Sequence, residues 1–244
     1  MKKSLALILA LLLTILIGTE AFFYKQIFHH KTEDAIIARV LDGDTVQLED
    51  GRNVRLININ TPEKGLPFSN EARLFLEQYV NNSVSVESLG LEKYGRTLAR
   101  IYAPEYLNLQ IVRLGLASYY LVQPSEYQIF SNAEAEARKT EKGIWKKSPL
   151  YDCISAEIKP QEEYLILTEK CNSSFPISIK DDGTHTYYVF MHASKTQKIF
   201  SGKGEPSPGE IYLNSTTNIW NNDKDTLFIR DSSGLLVYFY RYGY

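Results

Sequence analysis

The sequence predicts two domains of different class, an α+β half built as a small barrel with flanking helices, followed by an all-β sandwich. Three observations predict this. Strand-like and helix-like stretches alternate as far as Trp145, whereas almost nothing beyond Asp152 reads as helical. A charged segment containing Pro149, residues 146–152, separates the two patterns. In the second half, turn signals recur at short spacing: Asp182-Gly183, residues 202–209, residues 221–223 and Ser233-Gly234. A chain of 244 residues is long enough for two hydrophobic cores.

The first half begins with strand-like residues 36–40 and 45–49, then the hairpin signal Asp50-Gly51, with residues 54–59 returning. Ser69 or Asn70 is placed to cap a helix over residues 71–80, whose apolar members fall on one side. Residues 84–89 and 98–102 read as two further strands, with Tyr94-Gly95-Arg96 in the turn between them. A short helix over 108–114 and a longer one over 133–142 end before Gly115 and Gly143. Five strands with three helices suit a small barrel. In the second half, strands are expected over 163–168, 175–179, 187–191, 226–230 and 235–240.

Composition narrows the function classes. Hydrophobic residues make up 44% and charged residues 23%, which excludes extensive disorder. The net charge is −2, and residues 31–147 hold 15 Lys and Arg against 16 Asp and Glu. A nonspecific basic coat for nucleic acid is therefore excluded, and any such binding relies on a local cationic site. Lys2 and Lys3 precede an apolar run over residues 5–18, fourteen residues that suit an export signal and fall short of a membrane span of ~20. Residues 21–24 are apolar or aromatic again, so residues 1–24 are read as a cleaved signal peptide or an uncleaved membrane anchor. Residues 25–34 form a polar tether that includes His29 and His30. None of the four histidines has ligand spacing. Cys153 and Cys171 form either one disulfide, worth about 3 kcal/mol, or two unrelated buried thiols.

Chemistry concentrates in four short segments between Asp42 and Arg96: Asp42-Gly43-Asp44-Thr45, Arg55, Asn60-Thr61-Pro62-Glu63 and Lys93-Tyr94-Gly95-Arg96. Carboxylate and amide oxygens hold hard cations, and guanidinium forks match phosphate oxygens. Together they suit metal-assisted attack on a phosphodiester. The predicted hairpin folds Asp44 back towards Arg55 and Asn60. Taken singly, Asp42 and Asp44 also suit a plain turn, and Tyr119-Tyr120 suits either core packing or base stacking.

In order along the chain, ARVLDGDTVQLEDGRNVRLININTPE, EKYGRTLARIY, LNLQIVRLGLASYY and AEARKTEKGIW resemble the staphylococcal nuclease (thermonuclease) family. The resemblance spans roughly residues 34–145 and implies an OB-fold domain over 35–147 that hydrolyses DNA and RNA with Ca2+. It implies metal-binding roles for Asp44, Asn60 and Thr61, the last through its carbonyl. Arg55 and Arg96 would grip the scissile phosphate, and Glu63 would position the attacking water. Lys93, Tyr94 and Tyr120 fall near nucleotide-contacting positions. The family carries an aspartate where this chain has Asn60, which removes one negative charge from the metal site and implies weaker calcium binding. The segment of residues 64–70 is also short for the family's loop there.

The second half resembles a lamin-tail domain, an immunoglobulin-like sandwich over residues 153–244, through EEYLILTEKC and IWNNDKDTLFIRDSSGLLVYFYRY. It implies either a module docking to an unidentified surface partner or a stabilising appendage. The expectation for the whole is an exported nuclease, secreted or held at the outer face of the cell membrane. The alternative is a catalytically weakened nucleic-acid-binding protein.

Overall fold

The computed structural model describes residues 32–244. The export segment, most of the tether, His29 and His30 lie outside them. Among the described residues no helix is long and apolar enough to cross a membrane.

Strands β1 (Glu33–Val40), β2 (Thr45–Leu48), β3 (Asn53–Leu56), β5 (Ser83–Leu91) and β6 (Thr97–Tyr102) close a five-stranded barrel in the order β1-β2-β3-β6-β5. The short strands β4 (Ile59–Asn60) and β7 (Ser118–Tyr119) pair outside it. Helices α1 (Ser69–Glu77), α2 (Leu107–Arg113) and α3 (Pro124–Lys139) flank the barrel. This arrangement fits an OB-fold. Buried Ile37, Val46, Val54, Leu56, Leu76, Val86, Ile101 and Ile111 fill the interior. Asn108 fastens α2 to the wall. Its Nδ2 donates to the carbonyls of Ile57 (3.0 Å) and Ala99 (3.1 Å), and its Oδ1 accepts from the Ile101 amide, so a fully buried polar group is satisfied.

Several boundaries differ from expectation. Pairing of β1 with β5 carries strand structure back to Glu33, two residues into the expected tether. No side chain caps α1: Phe68 takes the cap position at φ 68°, while the Ser69 hydroxyl donates to the Leu66 carbonyl (2.6 Å). The helix stops at Glu77. α3 starts nine residues before the Ala/Glu-rich stretch, because Pro124 at its first turn has the φ a helix needs and no amide to leave unpaired.

In the second half β8 (Ile154–Lys159), β9 (Tyr164–Glu169), β12 (Thr196–Phe200) and β13 (Glu210–Tyr212) form a sheet in the order β13-β12-β9-β8. A second sheet runs β11-β10-β14-β15, from β10 (Phe175–Lys180), β11 (Tyr187–Met191), β14 (Asp225–Asp231) and β15 (Leu236–Tyr242). The two share a core that includes Leu165, Leu167, Ile177, Ile179, Met191, Ile199, Trp220 and Ile229. Cys153 and Cys171 are joined as a disulfide beside the β8–β9 pair. β8, β12 and β13 were not among the expected strands.

The charged joint is not a free linker. Leu236 donates its amide to the Lys146 carbonyl and accepts from Ser148, so the joint runs against β15. Trp145 is buried between the domains, edge-on to Phe239 at 5.0 Å and beside Phe228 at 5.8 Å. Gly234 completes this contact. It sits at φ 79°, and a Cβ there would lie 2.1 Å from Cγ of Pro67. Gly234→Ala therefore meets both a left-handed backbone and a clash across the interface, with an expected loss of about 2 kcal/mol or more of unfolding free energy in denaturant titration.

Candidate active site

The β2–β3 hairpin sets the first part of the site. Thr45 opposes Arg55 in register, and the Leu56 amide donates to the Asp44 carbonyl at 2.8 Å. The Asp42-Gly43-Asp44 turn is held by the Asp44 amide donating to Oδ1 of Asp42 (3.0 Å). Gly43 has no room for a side chain: a Cβ would lie 2.8 Å from Cβ of Ala72 and Oγ1 of Thr61. The turn is thereby pressed against α1 and the Asn60-Thr61 strand end.

Asp44 is the centre of the site. Its Oδ2 accepts from Oγ1 of Thr61 (3.1 Å) and pairs with Nη2 of Arg55 (3.1 Å), while its Oδ1 accepts from Oγ1 of Thr45 (3.0 Å). Burial pushes its pKa up to about 6; Arg55 opposes the shift and neighbouring Asp42 adds to it. Arg55 is fixed by two further bonds, to the carbonyls of Leu56 and, at 2.9 Å, Ile59. Arg96 follows the β5–β6 turn, donates from Nη1 to Oγ1 of Thr45 (3.2 Å) and is paired through Nε with Glu92. Arg96 thus reaches Thr45, the cross-strand partner of Arg55, while Arg55 pairs with Asp44. Glu63 is half-buried, and among the described residues its carboxylate has no hydrogen-bond partner.

Asn60 is placed by both domains. Its backbone pairs with Ser118, and its Nδ2 donates to the Asp182 carbonyl of the second domain at 3.0 Å. That assigns the amide nitrogen to the interface and leaves Oδ1 as the free end of the side chain. A hydrogen-bond circuit returns from Asp182 to β7. Oδ2 of Asp182 accepts from Thr226 (3.0 Å) and Tyr244 (2.7 Å), and Thr226 accepts from Nε of Arg241 (3.0 Å). Arg241 then forks onto Glu134 (2.6 and 3.2 Å), whose Oε2 takes the Tyr119 amide (3.0 Å) next to Ser118. Both members of the Arg241–Glu134 pair are buried. Nothing in the sequence pointed to Asp182, Glu134 or Arg241, because their roles depend on contacts between distant segments; Glu92 was missed although its pair with Arg96 is local.

Among the predicted nucleotide contacts, Lys93 and Tyr94 lie at the exposed turn, with Nζ 4.8 Å from the ring centre. Tyr120 is half-buried and lines a groove with Arg55, Leu89, Glu92 and Leu121. Tyr119 is core, edge-on to Tyr127 and Tyr244 at 5.8 and 5.7 Å.

Among the described residues no group of three His, Cys, Asp or Glu side chains is close enough to hold a metal ion. Asp44 nevertheless supplies a carboxylate, and the raised proton affinity of this buried group, with Asp42 beside it, marks a charge that a hard cation would relieve. With the Thr61 carbonyl and Oδ1 of Asn60, this donor set fits an oxygen-binding cation at reduced charge.

Residues 53–147 match the family model described as staphylococcal nuclease homologue. An uncharacterized endonuclease of Escherichia coli O157:H7 is 33% identical over 115 residues, covering 45% of this chain and 74% of that protein. The thermonuclease of Staphylococcus intermedius is 31% identical over 160 residues, covering 58% of this chain and 95% of that protein. Endonuclease YhcR of Bacillus subtilis (strain 168) is 27% identical over 209 residues, covering 72% of this chain but 17% of that protein.

Proposed function

The chain belongs to the staphylococcal nuclease homologue family and is a phosphodiester-hydrolysing nuclease; we propose that it is an exported, calcium-dependent enzyme that cuts both DNA and RNA. The observation that carries this reading is the convergence of Arg55, Arg96 and Asp44 at one hairpin pair, with the free carboxylate of Glu63 a few residues beyond Asn60 and Thr61. Asp44, Oδ1 of Asn60 and the Thr61 carbonyl would hold Ca2+, which when bound supplies positive charge to the phosphodiester. Glu63 orients a water for attack on phosphorus and takes its proton as the bond to the leaving oxygen breaks. Arg55 and Arg96 donate to the equatorial oxygens, where charge builds up. Lys93, Tyr94 and Tyr120 flank the strand.

Export and the choice between secretion and an outer-face anchor rest on residues 1–24. The second domain, residues 153–244, is read as a lamin-tail-like sandwich with a surface partner. The alternative, a nucleic-acid-binding protein with attenuated turnover, is favoured by one observation, the amide at Asn60. Cleavage of single-stranded DNA and RNA by the full chain, compared with Glu63→Gln, separates the two readings. Turnover lost in the variant supports the enzyme; tight binding with no turnover in either protein supports the alternative.

Asn60 also makes a prediction of its own. Asn60→Asp sets a carboxylate against the Asp182 carbonyl, so metal-free protein is expected to lose about 1–3 kcal/mol of stability. The added ligand charge then makes calcium restore more stability to the variant than to the wild type. Melting curves with and without calcium read both effects.

A further inference from the structure

Beside Asn60, Thr61 and Pro62 a cavity of about 270 Å³ opens between the barrel domain and the β11-β10-β14-β15 sheet. Its size lies near the lower end of ligand pockets, roughly 300–1,000 Å³. The lining is largely apolar, with Pro67 and Ile144 from the first domain facing Ile177 and Phe228 from the second. Tyr188, largely exposed, stands at the same wall.

Two cations of the second domain reach this space. Arg230 uses one nitrogen, Nη1, on the carbonyls of Ile144 (2.7 Å) and Gly234 (3.2 Å). Among the described residues its Nε and Nη2 have no protein acceptor, and it forms no salt bridge. Asp231, in the same lining, is already engaged: Oδ1 takes the Ser233 and Leu235 amides (both 2.9 Å) and Oδ2 takes the Ser148 hydroxyl (2.6 Å). The surrounding protein pushes the pKa of Arg230 down to about 10, against the pull of Asp231. Lys180 gives Nζ to the carbonyls of Asp181 (3.3 Å) and Gly183. Burial lowers its pKa, opposed by the charges of Asp181, Glu63 and Asp182, so Lys180 shares the electrostatic field of the proposed water-positioning glutamate. Asp181 accepts the Gly183 amide at 2.9 Å.

A half-buried guanidinium whose Nε and Nη2 have no protein acceptor is stabilised by an anion that fills its fork, and phosphate matches that geometry. Apolar walls suit a sugar or base, and a cavity of this size takes a single nucleotide of one strand. We propose that the interdomain cavity is a subsite for a nucleotide of the substrate strand neighbouring the scissile bond, its phosphate held by Arg230 and Lys180 and its base or sugar by the wall at Pro67 and Tyr188. This rests on the nuclease reading and extends it, making the second domain part of substrate recognition.

The test is fluorescence-anisotropy binding of a labelled single-stranded oligonucleotide to the full chain in EDTA, where nothing is cut, across a salt series. Each phosphate contact on a single strand contributes about 0.7 to the slope of log affinity against log salt. Lys180→Gln and Arg230→Gln are each expected to weaken binding several-fold and to lower that slope, by up to about 0.7 in total for the one phosphate they share. Tyr188→Ala is expected to weaken binding with the slope unchanged. If Arg230→Gln does not fold, Lys180→Gln decides alone, since its ammonium bonds only loop carbonyls. Wild-type slope and affinity in folded Lys180→Gln would overturn the subsite while leaving the nuclease reading in place. Absence of any wild-type binding in EDTA would also overturn the subsite, and cleavage with calcium added then reads the nuclease activity separately.

Discussion

Arg96→Ala is expected to lower kcat by ~10³-fold with little change in melting temperature, an effect of the size seen when a charge-stabilising donor or arginine is removed from a transition state. The side chain is only lightly tied to the fold. It pairs with Glu92 across a turn and touches Oγ1 of Thr45, so its removal leaves no buried charge behind. Its value lies in the phosphate it meets, where charge grows during attack. Arg96→Lys is expected to recover only a small part of the loss, because an ammonium cannot present two parallel donors. Rates of single-stranded DNA cleavage at saturating substrate read this directly, and a loss below tenfold would place the phosphate elsewhere.

Arg241→Met carries the second large effect, on stability rather than chemistry. Removing one partner of a buried, hydrogen-bonded ion pair costs about 3–5 kcal/mol, chiefly because the other charge stays behind. Here the abandoned group is Glu134, almost wholly buried, which also accepts the Tyr119 amide. The same guanidinium supports Thr226, and through it the Asp182 segment that holds Asn60. Unfolding in denaturant is expected to show the loss, with a large part regained in Arg241→Met combined with Glu134→Leu. A single-variant loss under 1 kcal/mol would mean that this clamp does not join the domains.

The barrel and its site were legible in the sequence where information is local. The Asp50-Gly51 turn fixed the hairpin register, and that register alone places Thr45 opposite Arg55 and Asp44 beside both. Tyr94-Gly95 likewise announced the turn before Arg96. What was hidden depends on contacts distant in sequence. The start of α3 lacked an Ala/Glu pattern and is set by Pro124, and β13 is a short strand added in parallel to β12. Asn60 is the clearest case. From the sequence it reads as a lost metal-site charge, whereas the structure also gives its amide nitrogen a partner 122 positions away, which no local pattern encodes.

The central claim is that Asp44, Asn60 and Thr61 hold calcium well enough for Glu63 and the two arginines to cut. A calcium titration of single-stranded DNA cleavage by the full chain, repeated at several pH values, tests it most directly. Asp44 is raised to about 6, so its proton competes with the cation below that pH and not above it. The expected result is saturable cleavage at ~10⁻⁴–10⁻³ M calcium or somewhat above, the range of extracellular calcium sites. The calcium required should rise as pH falls through about 6. Folded protein that cuts nothing at tens of millimolar calcium, about an order of magnitude beyond that range, would contradict the account.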